Sequence, residues 1–407
     1  MEVTKRSYTQ MADENGNGKR KWSFVVIILL VLMAGDISIA QAEGWEYERL
    51  RLRPKVDVLE HYSDNVFLAA DEENDEFYTE ISPKLAVDFA LAPRNYITAE
   101  AIGYFYNYDT YDNFDETEYF GQLFWNMETA KGSLLRAGAS TASESVQPYG
   151  PEDTYEEYDR NRLFAEGRLA IGKVTDVGLL FEHMAREFKD EGFKIDDYER
   201  QQADFGVVYR RSEVFPLLLQ YRFVNQDNEN LDDVDRDWIS HSVFTGAYWR
   251  GSSKMSGAFR VGYTAADFKD EDIDDIAGFG ADVDMTYRYS EITRFRLIGQ
   301  RSVEPVTTSQ RERGNYYILT SAGISLIHHK WDRITTELSY RYYYREFNIS
   351  ETQDRVDEEN VAGLTLRYDF RRWIGFSVGY QFEKTDSDDD TLDYTENSGR
   401  LGLHLSI

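Results

Sequence analysis

The sequence predicts an all-β protein: a transmembrane, antiparallel, up-and-down β-barrel of about eighteen strands, with short periplasmic turns and long acidic extracellular loops. Three observations predict it. Apolar and polar residues alternate with a period of two in segment after segment; the connections alternate short and long; and acidic residues crowd the long connections while basic residues sit in the short ones.

The pattern is plainest from Val361 to Glu383. Ala362, Leu364, Leu366, Tyr368 and Phe370 share one phase, with Gly363, Thr365, Arg367 and Asp369 in the other. After Arg371-Arg372-Trp373 the alternation resumes, Ile374, Phe376, Val378, Tyr380 and Phe382 against Gly375, Ser377, Gly379, Gln381 and Glu383. A period of two puts successive side chains on opposite faces of an extended strand. An acidic connection, Lys384 to Glu396, leads to a last alternating stretch from Arg400 to Ile407.

The N-terminus reads as a secretory leader. The basic cluster Lys19-Arg20-Lys21 precedes the apolar run from Ser23 to Ala34, and Ala40-Gln41-Ala42 supplies the small-residue cleavage pattern. Residues 1–42 are therefore expected to be removed after Ala42, leaving the barrel as residues 43–407. An uncleaved anchor is the alternative, but the run falls short of the roughly 20 residues a membrane helix needs.

From Glu43 onward, about eighteen alternating segments of roughly 9 to 14 residues follow, the length at which a tilted strand crosses a bilayer. They centre on Val56, Leu85, Ala101, Leu123, Ala137, Ala165, Leu179, Phe205, Leu219, Val243, Phe259, Val283, Leu297, Ala322, Leu338, Leu364, Val378 and Leu403. Short connections are expected at Leu91–Asn95, Thr129–Gly132, Gly172–Thr175, Arg210–Phe215, Arg250–Lys254, Tyr289–Ile292, His328–Arg333 and Arg371–Trp373. Long ones are expected at Ser63–Glu76, Asp109–Asp115, Val146–Asn161, Glu187–Glu199, Asn225–Asp237, Ala265–Asp275, Glu304–Gly314, Asn348–Asn360 and Lys384–Glu396.

A soluble β-sandwich or propeller also alternates its faces. Against it stand apolar phases almost free of charge at mid-strand, such as Leu217, Leu219, Tyr221 and Phe223, and aromatic residues gathered at strand ends. Tyr248, Trp249, Tyr287, Trp331 and Trp373 lie near the turns; Tyr106, Tyr108, Tyr263, Tyr342, Tyr344 and Phe347 lie near the loops, where interfacial rings are expected. The net charge of −29 is accompanied by 15% aromatic residues, which sets the chain apart from acidic disordered sequences. It also argues against nucleic acid as a partner, because like charges repel. The expected surroundings are outer-membrane lipid, reached through a barrel-assembly machinery.

With the apolar phase toward lipid, the opposite phase lines a lumen. The candidate lining residues are Arg136, Arg168, Arg222, Arg260, Arg296, Arg341, Arg367 and Arg400, interleaved with Glu100, Glu166, Asp282, Asp284 and Glu337. Two readings stand: the charges pair across strands and brace the wall, or the arginines guide an anionic solute or polymer through a polar conduit.

Catalytic chemistry finds little footing. There is no cysteine, and the six histidines are scattered; His241 beside Ser242 is the only hint of a barrel lipase. Asp386, Asp388 and Asp390 have the spacing that opens a calcium loop, but Thr391 stands where glycine is needed and Asn397 where the closing glutamate belongs. No cofactor or catalytic metal is expected. Loose divalent-ion bridging by the acidic loops is a weaker possibility.

The stretch His61-Tyr62-Ser63-Asp64-Asn65-Val66-Phe67-Leu68, followed by Asp75-Glu76-Phe77-Tyr78 and Ile81-Ser82-Pro83, resembles the opening of the putative beta-barrel porin type 2 family. The resemblance implies an outer-membrane barrel of a kind frequently associated with exopolysaccharide or capsule production, and it brings no catalytic residues. The expected function is a porin-like conduit for a surface exopolysaccharide. A general or anion-preferring porin for small solutes, and a non-transporting adhesion barrel, are the alternatives.

Overall fold

The computed structural model describes residues 45–406 apart from 71–72, 147–155, 191–193, 195–196, 211–215, 230–234, 250–253, 271–272, 274, 306–315 and 351–352. The expected leader, residues 1–42, and its cleavage site lie outside the described residues.

Nineteen strands follow one another: β1 (Trp45–Tyr47), β2 (Leu50–Ser63), β3 (Glu76–Ala92), β4 (Asn95–Tyr108), β5 (Glu116–Glu128), β6 (Leu134–Val146), β7 (Glu156–Ile171), β8 (Thr175–Phe188), β9 (Tyr198–Tyr209) and β10 (Leu217–Asn228), then β11 (Trp238–Trp249), β12 (Met255–Phe268), β13 (Ile276–Arg288), β14 (Thr293–Pro305), β15 (Tyr316–Lys330), β16 (Ile334–Ser350), β17 (Gln353–Arg371), β18 (Ile374–Ser387) and β19 (Tyr394–Ser406). Each of the eighteen expected segments falls on one of β2 to β19. Each of these strands pairs antiparallel with its sequence neighbours, and β19 pairs with β2, from Ser398 opposite Ser63 to Ser406 opposite Lys55. The sheet is therefore a closed, eighteen-stranded antiparallel barrel. Closure is what hydrocarbon demands, since an open edge would leave unpaired backbone groups without water. Short β1 continues the ladder on the lower part of β2, Trp45 opposite Leu52, where β19 has ended.

The outer face is the apolar phase. Leu219, Phe279 and Leu401 are 57%, 59% and 62% exposed, and Leu85, Leu123, Leu179, Phe205, Val243, Leu338 and Leu364 are exposed with them. A soluble protein does not leave a girdle of this extent in water. Toward the loop rim the same phase turns polar within one row: Thr141 stands opposite Asn161, His183 opposite Gln201, and Gln201 opposite Asn225.

The strands are longer than the sequence suggested, 12 to 19 residues for β2 to β19. The correction is largest at Asn348–Asn360, read as a loop: β16 runs to Ser350 and β17 begins at Gln353, so most of that stretch is strand. The charges that made it read as loop are compatible with a sheet that has risen out of the apolar girdle. There Arg345 pairs with Glu359 at 2.6 Å, Arg355 with Asp357 at 3.0 Å, and the Arg355 guanidinium lies 4.0 Å over the Phe347 ring.

Candidate functional site: the lumen and its outer mouth

The inward phase carries the polar chemistry. Most of its arginines lie against a carboxylate on the same or the next strand. Arg222 donates from Nε and Nη2 to Asp204 at 2.9 and 3.0 Å, and Gln220 donates to the same carboxylate at 2.8 Å. Arg260 bonds Asp282 at 2.5 Å and Gln220 at 3.0 Å; Arg296 bonds Asp284 at 2.9 Å; Arg367 bonds Asp369 at 2.9 Å. Glu100 is met by Lys84 and Gln122. Arg400 donates to Thr365 at 2.9 Å, and Arg341 to the Tyr343 hydroxyl at 2.8 Å.

Four of the expected residues stand apart. Arg136 is held between Phe124 and Phe164, its guanidinium 4.3 and 5.1 Å from the ring centres. Arg168 and Glu166 follow it on β7, Glu166 opposite Arg136, and neither has a hydrogen-bond or ion-pair partner among the described residues. Glu337 borders an enclosed space that reaches the loop rim.

Long side chains lie along the wall because glycines leave room for them. A Cβ on Gly379 would stand 2.6 Å from Arg400 Nε, and one on Gly375 would stand 2.7 Å from Asp369 Oδ1. On the opposite side Phe244, buried although inward-facing, lies against Gly262 and Gly280.

The space near the loop rim has a volume of about 620 Å³. Residues from β2 through β6 and from β16 through β19 border it, half the circumference, so it lies inside the barrel. Its carboxylates are Glu116, Glu118, Glu337, Glu383 and Glu396, set against Arg400. Its rings are His61, Tyr78 and Tyr108, stacked in sequence with centroids 4.5 and 5.0 Å apart, together with Tyr106. Tyr106, Tyr108 and Phe347 thus point inward, not to the membrane interface as the strand-end pattern suggested; Tyr248, on the turn side, also faces the lumen beside Arg260 and Asp282. Position along the strand was the wrong criterion. Phase was available: Tyr78 and Tyr108 share the phase of Glu80 and Glu100.

The connection after β2 folds over this space. Val66 and Leu68 border it, and Val66 and Phe67 are buried against Phe114, Tyr108 and Tyr111. The Ser63-Asp64-Asn65 step fixes the connection to β19. Ser63 donates to Glu396 at 2.6 Å; Asn65 donates to the carbonyl of Thr395 at 3.1 Å and closes on Ala69 in both directions at 2.9 Å. Asp64 accepts from Asn397 twice. The motif that carried the family resemblance is thus the clasp at the barrel seam.

Two other stretches singled out in the sequence are placed here. His241 faces outward and bonds the Tyr221 hydroxyl at 2.7 Å, whereas Ser242 faces inward and bonds Thr264 at 2.9 Å, so the pair is divided by the wall. Two of the three aspartates of the calcium-like stretch have other partners: Asp386 meets Lys384 at 2.6 Å, and Asp388 accepts from the Val356 amide at 3.1 Å. Between the β10–β11 and β12–β13 connections, Lys269 donates to Asp237 at 2.7 Å and Asp227 at 3.4 Å, and these bonds, Asp237 first, raise its pKa.

A closed barrel with an apolar girdle and a charged, partly occluded lumen defines a porin-like outer-membrane channel. The chain belongs to the family described as Putative beta-barrel porin 2, whose model matches residues 41–407. No curated protein matches it. Among solved structures it is similar to the outer membrane protein OpdK from Pseudomonas aeruginosa, at 11% identity and a TM-score of 0.48, covering 88% of this chain and 98% of that one. It is similar also to OccAB4 from Acinetobacter baumannii, at 13% identity and 0.46, covering 88% and 98%. A BenF-like porin from Pseudomonas fluorescens Pf-5 gives 10% and 0.47, covering 88% and 99%. Likenesses this distant bear on none of the conclusions below. Family and fold point to a channel rather than an enzyme.

Proposed function

We propose that the chain is a conduit for a hydroxyl-rich surface polysaccharide, exported behind the leader 1–42, with its turns in the periplasm and its narrowed mouth outside. The observation that carries this reading is the space beneath the β2–β3 connection. Phenol hydroxyls of Tyr78, Tyr106 and Tyr108 face carboxylates of Glu116, Glu118, Glu383 and Glu396 across one interior volume. Such a lining donates to and accepts from sugar hydroxyls, and the buried connection above it narrows the exit for small solutes.

Single-channel conductance of the refolded barrel in a planar bilayer, before and after a neutral and then an acidic polysaccharide are added, tests it. A mostly closed channel that opens when the β2–β3 connection is deleted, or a current that the polymer blocks from the turn side, supports the conduit. A steady open conductance indifferent to polymer refutes it in favour of a small-solute porin. Arg136 and Arg168, inward cations without a carboxylate partner among the described residues, favour an anion preference for such a porin.

A further inference from the structure

A second interior space, about 810 Å³, opens at the turn rim, between the β1–β2 hairpin and the β3–β4 turn. Its lining differs in sign from the loop-side space. Arg49, Arg51, Arg53 and Arg94 border it. The inward carboxylates beside them are already engaged: Asp88 accepts from Arg53 at 2.8 Å and from Thr98 at 2.7 Å, and Glu100 is met by Lys84 and Gln122. Glu48, at the hairpin tip, is the remaining acid. Arg49 and Arg94 have no ion-pair partner among the described residues, and both side chains are exposed.

The backbone supplies an independent observation. The β3–β4 connection is the two-residue turn Pro93-Arg94, and Arg94 adopts a left-handed conformation with φ 63°, its carbonyl fixed by the Glu128 amide at 2.8 Å. Turns of this shape favour glycine or asparagine at that position. Arginine stands there against the backbone preference, at the border of the basic space.

We infer that this vestibule is a capture site for an oxyanion, a carboxylate or phosphate group, entering from the turn side. Planar guanidinium groups match such groups in two-point hydrogen bonds. The loop-side space, with five glutamates against Arg400, repels the same group, so capture is confined to one end. The inference requires only that the barrel is open at its turn rim, and it holds for a polymer segment or a small free anion.

The test uses the refolded full chain in a planar bilayer at about 0.1 M salt, where charge acts over about 10 Å. The chain has no cysteine, so biotin on an Asp390→Cys variant, exposed on the β18–β19 connection and captured by streptavidin on one side, assigns the orientation. Oligogalacturonate, free galacturonate and inorganic phosphate are added to each side in turn. Block from the turn side only is expected, with the blocking concentration raised about tenfold in Arg94→Asn and about a hundredfold in Arg49→Ser/Arg94→Asn. Lys131→Ser, at the same rim but away from the vestibule, leaves it unchanged.

Arg94→Asn also separates binding from folding, because it relieves the turn and raises the unfolding temperature while it weakens capture. Block by the oligomer alone supports both the capture site and the polysaccharide conduit. Block by the free anions at equal potency supports the capture site and removes the conduit reading. No block by any probe, equal block from both sides, or unchanged block in the double variant overturns the inference.

Discussion

The carboxylate of Asp64 accepts hydrogen bonds from both the backbone nitrogen and the side-chain amide of Asn397, at 2.7 and 2.8 Å, across 333 positions of sequence. The Tyr380 hydroxyl donates to the remaining Asn397 oxygen at 2.6 Å, so the contact ties β18, β19 and the end of β2 together at the loop rim. Asp64→Ala removes both acceptors at the seam where β19 meets β2. It is expected to cost about 2 kcal/mol, read as a lower urea midpoint for unfolding of the bilayer-inserted barrel.

Gly262 and Gly379 are both overlain by side chains, but the effects of filling them should differ. A Cβ on Gly262 meets the Val243 carbonyl and stands 2.9 Å from the Phe244 Cα, atoms of a paired strand that cannot swing away. One on Gly379 meets chiefly the flexible Arg400 side chain. Gly262→Val should cost about 1–3 kcal/mol or more. Gly379→Val should fold nearly normally and push Arg400 into the lumen, seen as a lower conductance with a shift toward anions.

Asp204 collects four donors, from Arg222 twice, Gln220 and Gln202. Asp204→Asn leaves the Arg222 charge unbalanced in the lumen. The expected outcome is a loss of roughly 1–3 kcal/mol and a reversal potential displaced toward anion selectivity in a salt gradient.

Phe114 is 1% exposed and holds Phe67 and the β2–β3 connection over the outer mouth. Phe114→Ala should cost about 3–5 kcal/mol of local stability. Because the freed connection no longer lies over the loop-side space, single-channel conductance should rise, with no change in heat-modifiable migration of the barrel.

The raised pKa of Lys269 has a definite sign in pH. Its bonds to Asp237 and Asp227 stabilise the folded loops fully below the ordinary lysine pKa of about 10.4, and the contribution is lost as pH rises through the higher folded value. The β10–β11 and β12–β13 connections should become more sensitive to limited proteolysis in that alkaline window. Lys269→Met should show the alkaline sensitivity at every pH.

The barrel was legible because hydrocarbon on one side and water on the other write a two-residue period into every strand. The centres at Leu219, Leu364 and Val378 fall mid-strand with the expected phase. What escaped was where a strand stops: Arg355, Asp357 and Glu359 look like loop in a linear reading, but the ladder to the neighbouring strand runs on through them, opposite Phe347, Arg345 and Tyr343. The inward rings escaped for a related reason. Tyr106, Tyr108 and Phe347 sit at strand ends, as interfacial aromatics do, and only their phase separates them from Tyr342 and Tyr344. Ser63-Asp64-Asn65 was visible as a motif, yet its partners Thr395, Glu396 and Asn397 are more than three hundred residues away.

The strands that outrun the apolar girdle have a consequence for what a passing molecule meets. On β17 the polar phase begins at Asn360, and the strand continues to Gln353; at the rise of a tilted strand, seven residues stand about 15–20 Å above the girdle. The outer opening is therefore a hydrogen-bonded chimney and not a hole flush with the lipid. A molecule crossing that opening in either direction does so beyond the headgroup layer, clear of that layer's fixed charge.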